Sequence, residues 1–165
     1  MAYNTDGMIG VDFTKLTTGT TTDGAGSPMP LGTRVSGTDG SEWVLVQAGA
    51  AITINSWVAI DENFQAVMGT KALADVGHQV GFAQVAFADN DFGWVAVHAP
   101  GNVSLRVLAS CAADVQLYSS GTAGAMDDTS ASQTLIRGCV LVTAATTTAS
   151  TREAIAVHPS ATATP

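Results

Sequence analysis

Residues 79–98, QVGFAQVAFADNDFGWVAVH, decide the fold class of this 165-residue chain. Two runs rich in valine, alanine and aromatic residues, 79–86 and 93–98, lie on either side of a polar segment built around Asp89–Asp91. Short runs of strand-forming residues, separated by a turn of Asp, Asn and Gly, are typical of successive β-strands. This stretch therefore predicts two short strands joined by a turn.

Similar runs recur along most of the chain. Further strand candidates are 41–47 (SEWVLVQ), 52–54, 57–60, 103–108, 114–118, 136–142 and 154–157. Turn-forming segments separate them, among them HAPGN at 98–102. The one helix signal, KALADV at 71–76, is enclosed by two glycines and allows about one turn. The pattern predicts an all-β protein, a small sandwich or barrel of short antiparallel strands.

The N-terminal segment 1–32 differs in character from the rest. Thr, Gly, Asp and Pro dominate it, and its apolar residues are too sparse to form an element that buries itself. We interpret residues 1–32 as an extended arm and residues 33–165 as the β domain. Within the arm, the segment 11–16 (VDFTKL) carries apolar side chains that could dock on a partner, and Val11, Phe13 and Leu16 are the predicted docking residues.

The β domain shows signs of an internal duplication, with pseudo-repeats at about 50–105 and 109–163. Val58 and Ile60 precede a polar turn in the first repeat, as Val115 and Leu117 do in the second. Near the repeat ends, His98 and His158 occupy matching places at a similar spacing, each following a valine. Two such units could bury together a face that neither buries alone.

The charge content limits the possible partners. Only 12% of residues are charged, and six Lys and Arg stand against 14 Asp and Glu, for a net charge of −8. Nucleic-acid binding depends on clustered cations, and these six are scattered, so we exclude a nucleic-acid partner. No apolar run reaches the roughly 18–20 residues of a membrane span, and the N-terminus lacks the features of a secretory signal. We expect a protein made in the cytoplasm that binds no membrane.

Residues capable of chemistry are few, and none matches a known catalytic or cofactor motif. His98 and His158 could form a metal-binding or pH-sensing pair, but each also suits the end of a strand. Cys111 and Cys139 lack the short spacing of metal ligands, and we expect buried structural roles. Asp89–Asp91 suits a turn better than a calcium loop. We therefore predict no catalytic, metal or cofactor site.

Several longer segments resemble the head decoration (capsid cement) proteins of tailed bacteriophages. They are LGTRVSGTDGSEWVLVQAGAAIT (31–53), VAIDENFQA (58–66), GHQVGFAQVAFADNDFGWVAV (77–97), LASCAADVQLYSSGTAGAMDD (108–128) and GCVLVTA (138–144). The resemblance extends over about three-quarters of the chain. It implies a virion protein on the outer face of the capsid, commonly a homotrimer, which binds the major capsid protein, bridges neighbouring capsomers and has no catalytic activity.

Three alternatives remain open at this stage. The first is another phage surface component, such as a fibre or a turret, although fibre-like repeats and heptads are missing. The second is a carbohydrate-binding β module that would use Trp43, Trp57 and Trp94 as surface platforms. The third is an enzyme on a β scaffold, with His98, His158 and nearby carboxylates as its only plausible catalytic residues.

Overall fold

The computed structural model describes residues 11–19, 26–27 and 29–162, so much of the predicted arm lies outside the described part. The prediction of an all-β fold with little helix is confirmed. The strands are β1 (Arg34–Ser36), β2 (Glu42–Ala48), β3 (Trp57–Ile60), β4 (Gln65–Met68), β5 (Gln79–Ala83), β6 (Phe92–Val107), β7 (Gln116–Ser119), β8 (Met126–Asp127), β9 (Leu135–Leu141) and β10 (Ser150–Ala161), and the helix α1 is Lys71–Asp75.

These strands form one hydrogen-bonded sheet whose pairings close two rings. In the first ring, β2 pairs with β4, β4 with β3, β3 with β5, β5 with β6, and β6 again with β2. In the second ring the order is β6, β8, β7, β9, β10 and again β6. We call these rings the first and second barrels. Closure pairs the strands of each ring on both sides, which removes the free edges of an open sheet.

The two barrels share strand β6, which is 16 residues long. Its first part, to His98, pairs with β2, and its second part, from Ala99, pairs with β10. The predicted turn at HAPGN is wrong, because these residues lie inside β6. These residues form an irregularity in the pairing of β6 with β10 instead. Ala154 of β10 faces Val103 of β6, but Ala156, two residues on, faces Ala99, which is four residues from Val103. Pro100 is tolerated there because the ladder is already interrupted.

The pairings of the first barrel have counterparts in the second. Both barrels contain one parallel pair, β2 with β4 and β6 with β8, and their remaining pairs are antiparallel. The facing pair Val44–Val95 of the first barrel corresponds to the facing pair Val103–Ala154 of the second. The residue numbers differ by the same amount on both strands, 103 − 44 = 154 − 95 = 59. Val58 of β3 and Leu117 of β7 are both fully buried in the cores of their barrels.

Alternation along the strands accounts for the two cores. Val44, Val46 and Ala48 point into the first barrel, where they pack with Val58 and Ile60. The second barrel is filled by a separate set of apolar side chains, namely Leu105, Val107, Leu117, Met126 and Leu141. All of these side chains are almost fully buried, and each contributes roughly 1.5–3 kcal/mol to folding if it is as large as valine.

The outer face of β3 and β5 forms the junction between the barrels. Trp57 and Phe82 alternate with the core residues of the first barrel, yet they belong to the same buried cluster as the core of the second. Gly69 lies so close to the Trp57 indole that a Cβ at this position would overlap the ring. Helix α1 lies at the same junction, where the Thr134 hydroxyl donates a hydrogen bond to Asp75.

Some short strands were not predicted, and one predicted strand does not form. β1, β4 and β8 are only two to four residues long and show little alternation of their own. The predicted strand at 52–54 is wrong, because only Ile52 pairs, in an isolated bridge with Phe87. A very short strand exists only because a neighbouring strand supplies its hydrogen bonds. The strands β1, β4 and β8 have such neighbours, whereas the segment 52–54 has a single bridge.

Candidate functional site

Residues 11–19, one of the described parts of the arm, lie on the outer face of β2 and β6 in the first barrel. Phe13 is 8% exposed, and its ring stacks on Trp43 with a centroid distance of 4.6 Å and an interplanar angle of 8°. The edge of Trp94 meets the same ring at 6.0 Å. Val35 and Leu45 complete this buried cluster. Phe13 is therefore the main apolar anchor of the arm.

Backbone pairing attaches the arm a few residues further on. The Thr17 N–H donates to the Phe92 carbonyl at 2.8 Å, and the Phe92 N–H donates to the Thr17 carbonyl at 2.7 Å. Leu16 packs against the buried cluster of the first barrel. A Cβ on Gly93 would overlap Leu16, so glycine at this position lets the arm approach the strand. Residues 11–19 are thus attached by one two-bond bridge and a few apolar contacts, and the end of the arm is attached separately by the Gly32 N–H, which donates to the Leu45 carbonyl at 2.9 Å.

All three predicted docking residues contact the chain's own first barrel. Phe13 is buried, Leu16 is half-buried, and Val11 packs at the edge of the Phe13 cluster. Val11 and Phe13 lie in the cluster on the outer face, whereas Leu16 packs against the core of the first barrel. Sequence reasoning missed the surface that receives them, namely Trp43 and Trp94. The available signal was the alternation in β2, which places Trp43 on the face opposite the core residue Val44.

The second barrel has no matching apolar surface at the corresponding place among the described residues. The shift that relates the two barrels places Ser104 and Glu153 where the first barrel has Leu45 and Trp94. Both pairs face each other across neighbouring strands. Because an apolar ring gains nothing by packing on a serine and a carboxylate, this place on the second barrel does not offer Phe13 an equivalent contact.

An apolar strip is exposed elsewhere on the second barrel. Val140 of β9 faces Ile155 of β10, and Val157 lies two residues further along β10 on the same face. These side chains are 37%, 36% and 50% exposed, respectively. Exposed apolar groups on adjacent strands are a common feature of protein contact surfaces.

The two histidines predicted as a possible functional pair do meet. The rings of His98 and His158 stack with a centroid distance of 4.4 Å and an interplanar angle of 18°. The Nε2 atom of His158 lies 3.9 Å from Oε1 of Glu42, and His158 has a φ of 43°. Nδ1 of His98 is buried and has no hydrogen-bond partner among the described residues. Stacked rings direct their nitrogens sideways rather than at a shared point, which does not suit joint binding of one metal ion.

A second group of titratable side chains surrounds Cys111. Its Sγ donates to Oδ1 of Asp127 at 3.4 Å, and Asp128 accepts a hydrogen bond from the Ala112 N–H at 2.9 Å. The ligand atoms of Cys111, Asp127 and Asp128 lie within 4.8 Å of one another, so these residues could hold a metal ion. Burial raises the pKa of the Cys111 thiol to about 12, so a metal would have to displace a firmly bound proton.

The remaining candidate residues of the sequence are the two cysteines and the three tryptophans. Cys111 and Cys139 are both buried and are not bonded to each other. Trp57 and Trp94 are buried, and Trp43 is covered on one face by Phe13. The three indoles therefore do not form the exposed platform that a carbohydrate-binding module would need.

No family model matches the chain, and no curated protein matches it either. In the part of the chain that the structure describes, no helix is long and apolar enough to cross a membrane.

Proposed function

We propose that the protein is a non-catalytic virion protein that decorates and stabilises the outer surface of a bacteriophage capsid by bridging capsomers. The observation that carries the proposal is the attachment of the arm. Residues 11–19 belong to neither barrel and are held by the Thr17–Phe92 bridge and the Phe13 ring. An element attached in this way can pair with a capsid strand instead, since backbone pairing requires little sequence specificity.

The barrels suit a protein that must resist strain. Two closed rings share one strand, β6, so a force applied to either barrel is transmitted through continuous backbone hydrogen bonds. Closure also limits sheet-edge pairing, which protects a protein present in many copies from self-aggregation. These properties support a structural role on a shell under internal pressure.

The proposal includes two contact surfaces on different barrels. The first is the arm with its anchors Val11, Phe13 and Leu16. The second is the strip of Val140, Ile155 and Val157. A bridging protein needs at least two such surfaces, one for each neighbour. We assign the arm to the major capsid protein and the strip to a second copy within a homotrimer.

Particle analysis tests the proposal directly. Antibodies against the chain should label the heads of virions, and cryo-electron microscopy should show its density on the outer surface of the capsid. The mass of the free protein in solution should correspond to a trimer, or about three times 16.7 kDa. Labelling confined to tails, or absence of the protein from purified virions, would contradict the proposal.

A truncated protein tests the role of the arm. Removing residues 1–30 should weaken binding to undecorated, expanded heads at least tenfold while leaving the barrels folded. Phe13→Ala in the full chain removes the anchor but keeps the backbone of the arm, so it separates the contribution of the ring from that of the backbone. Equal binding by the truncated and full-length proteins would eliminate the arm as a docking element.

A further inference from the structure

A half-open cleft of about 320 Å³ lies where the loop between Ile52 and β3 faces the end of β6 and the start of β10. This volume is at the lower end of the range for ligand sites, roughly 300–1,000 Å³. Its walls are apolar, with Ile54, Val107 and Leu108 among them, and carry hydroxyl groups such as that of Thr122. A small ligand with an apolar body and few polar atoms matches this lining.

Arg106 is the only charged residue that lines the cleft in the part of the chain that the structure describes. Its guanidinium donates from Nη1 to Oγ of Ser56 at the long distance of 3.4 Å. No carboxylate of the described residues lies within 4.0 Å of it. Most of its five N–H donors are thus available to a ligand.

The cleft is organised before any ligand arrives. The Arg106 N–H donates to the Asn55 carbonyl at 2.7 Å, and the Asn55 N–H donates to the Ala83 carbonyl at 2.8 Å. Asn55 has a φ of 60°, a conformation that asparagine adopts more readily than most residues. Because the loop is tied to both barrels, binding would require little further ordering.

We propose that this cleft binds a carboxylate carried on a short aliphatic chain. The planar guanidinium of Arg106 matches a carboxylate in a two-bond arrangement. Ile54, which is 48% exposed, would cover the aliphatic part. A phosphate fits less well, because one arginine cannot compensate a double negative charge on an acidic protein. The ligand is either a free small carboxylate or a glutamate side chain of a partner protein.

Titrations monitored by NMR spectroscopy of the backbone amides test the proposal. The probes are butyrate for a free carboxylate and N-acetylglutamate α-amide for a protein side chain. Both should shift the amides of Arg106 and Ser150, and the tighter of the two identifies the source. N-acetylglutamine α-amide, which is neutral and nearly isosteric, should bind at least tenfold more weakly than the charged amide. Equal shifts by the neutral probe, no shift by either carboxylate, or tighter binding of inorganic phosphate would overturn the proposal.

Variants connect the binding to named atoms. Arg106→Gln should weaken carboxylate binding roughly tenfold or more, the usual effect of losing a charge-assisted pair. The matched control is Arg137→Gln, which removes an exposed arginine outside the cleft and should leave binding unchanged. Equal losses in Arg106→Gln and Arg137→Gln would show a general charge effect and overturn the site.

Discussion

The indole N–H of Trp57 donates a hydrogen bond to the carbonyl of Ala125 at 3.1 Å, which joins the first barrel to the second. The same residue also donates its main-chain N–H to the carbonyl of Gly124. Trp57 is fully buried, so both bonds are shielded from water. The two barrels are thus connected by polar contacts inside an apolar junction, in addition to the shared strand.

Replacing this indole should weaken the whole protein. Trp57→Phe removes the N–H donor and leaves a small cavity, so we expect the free energy of unfolding to fall by about 1–3 kcal/mol. Urea denaturation followed by circular dichroism measures the change. Trp43→Phe is the control, since Trp43 is only half-buried and bonds to the Ser41 hydroxyl. A larger loss for Trp43→Phe would refute the importance of the junction.

A methyl group at Gly69 should be poorly tolerated. Its Cβ would overlap the Trp57 ring, which cannot move without disturbing the junction. We expect Gly69→Ala to reduce the free energy of unfolding by about 1–3 kcal/mol or more. Gly101→Ala serves as the control, because nothing lies within 4 Å of a Cβ at that position. Equal thermal unfolding midpoints for the two variants would contradict the close packing described here.

Loss of the Phe13 ring should release the arm without unfolding the barrels. In Phe13→Ala we expect cleavage by trypsin after Lys15 to be roughly tenfold faster or more, because about 2 kcal/mol of docking energy is lost. Tryptophan emission should also shift to longer wavelength as Trp43 becomes exposed. Thr18→Ala, an exposed change on the same segment, should leave both readouts unchanged. Unaltered cleavage in Phe13→Ala would mean that the ring does not anchor the arm.

The two cysteines should be unreactive in the folded protein. Burial raises the pKa of Cys111 and of Cys139 to about 12, so at pH 8 both remain protonated thiols, the unreactive form. A disulfide-exchange reagent should label neither in the native state and both in urea. Thr147→Cys, which places a thiol at an exposed position, should react at once and serves as the positive control. Rapid labelling of two native thiols would disprove the prediction.

The turn before β2 should contribute stability that depends on pH. The Ser41 hydroxyl and N–H donate to the Asp39 carboxylate at 2.6 and 3.0 Å, and these bonds hold its pKa below the ordinary value of 3.8. The contribution is complete above that ordinary value and is lost as the pH falls through the lowered one. Asp39→Asn should therefore lower the unfolding midpoint at pH 7 and have little effect near pH 2. Ser41→Ala should show the same trend, and a deficit that grows in acid would contradict the assignment.

Sequence patterns located most strands but not their neighbours. The bounds of β3 were predicted as the structure has them, since its residues are all strand-forming and follow a turn. The HAPGN segment misled the prediction, because Pro and Gly usually end a strand and here occupy a bulge within β6. The arm anchors were recognisable as isolated apolar residues in a polar segment. Their receiving surface was not, since Trp43 and Trp94 lie far apart in the chain.

The amino-acid sequence alone determined that this chain is a β protein with a scarcity of charge, and which side chains of most strands point inward. Alternation with a period of two carries that information, because each residue's face depends only on its own position. The tertiary structure decided the two closed barrels, the shared strand, the stacking of His98 on His158 and the cleft at Arg106. These features arise from pairings between distant segments through backbone hydrogen bonds, which are the same for every residue type and so leave little trace in the sequence.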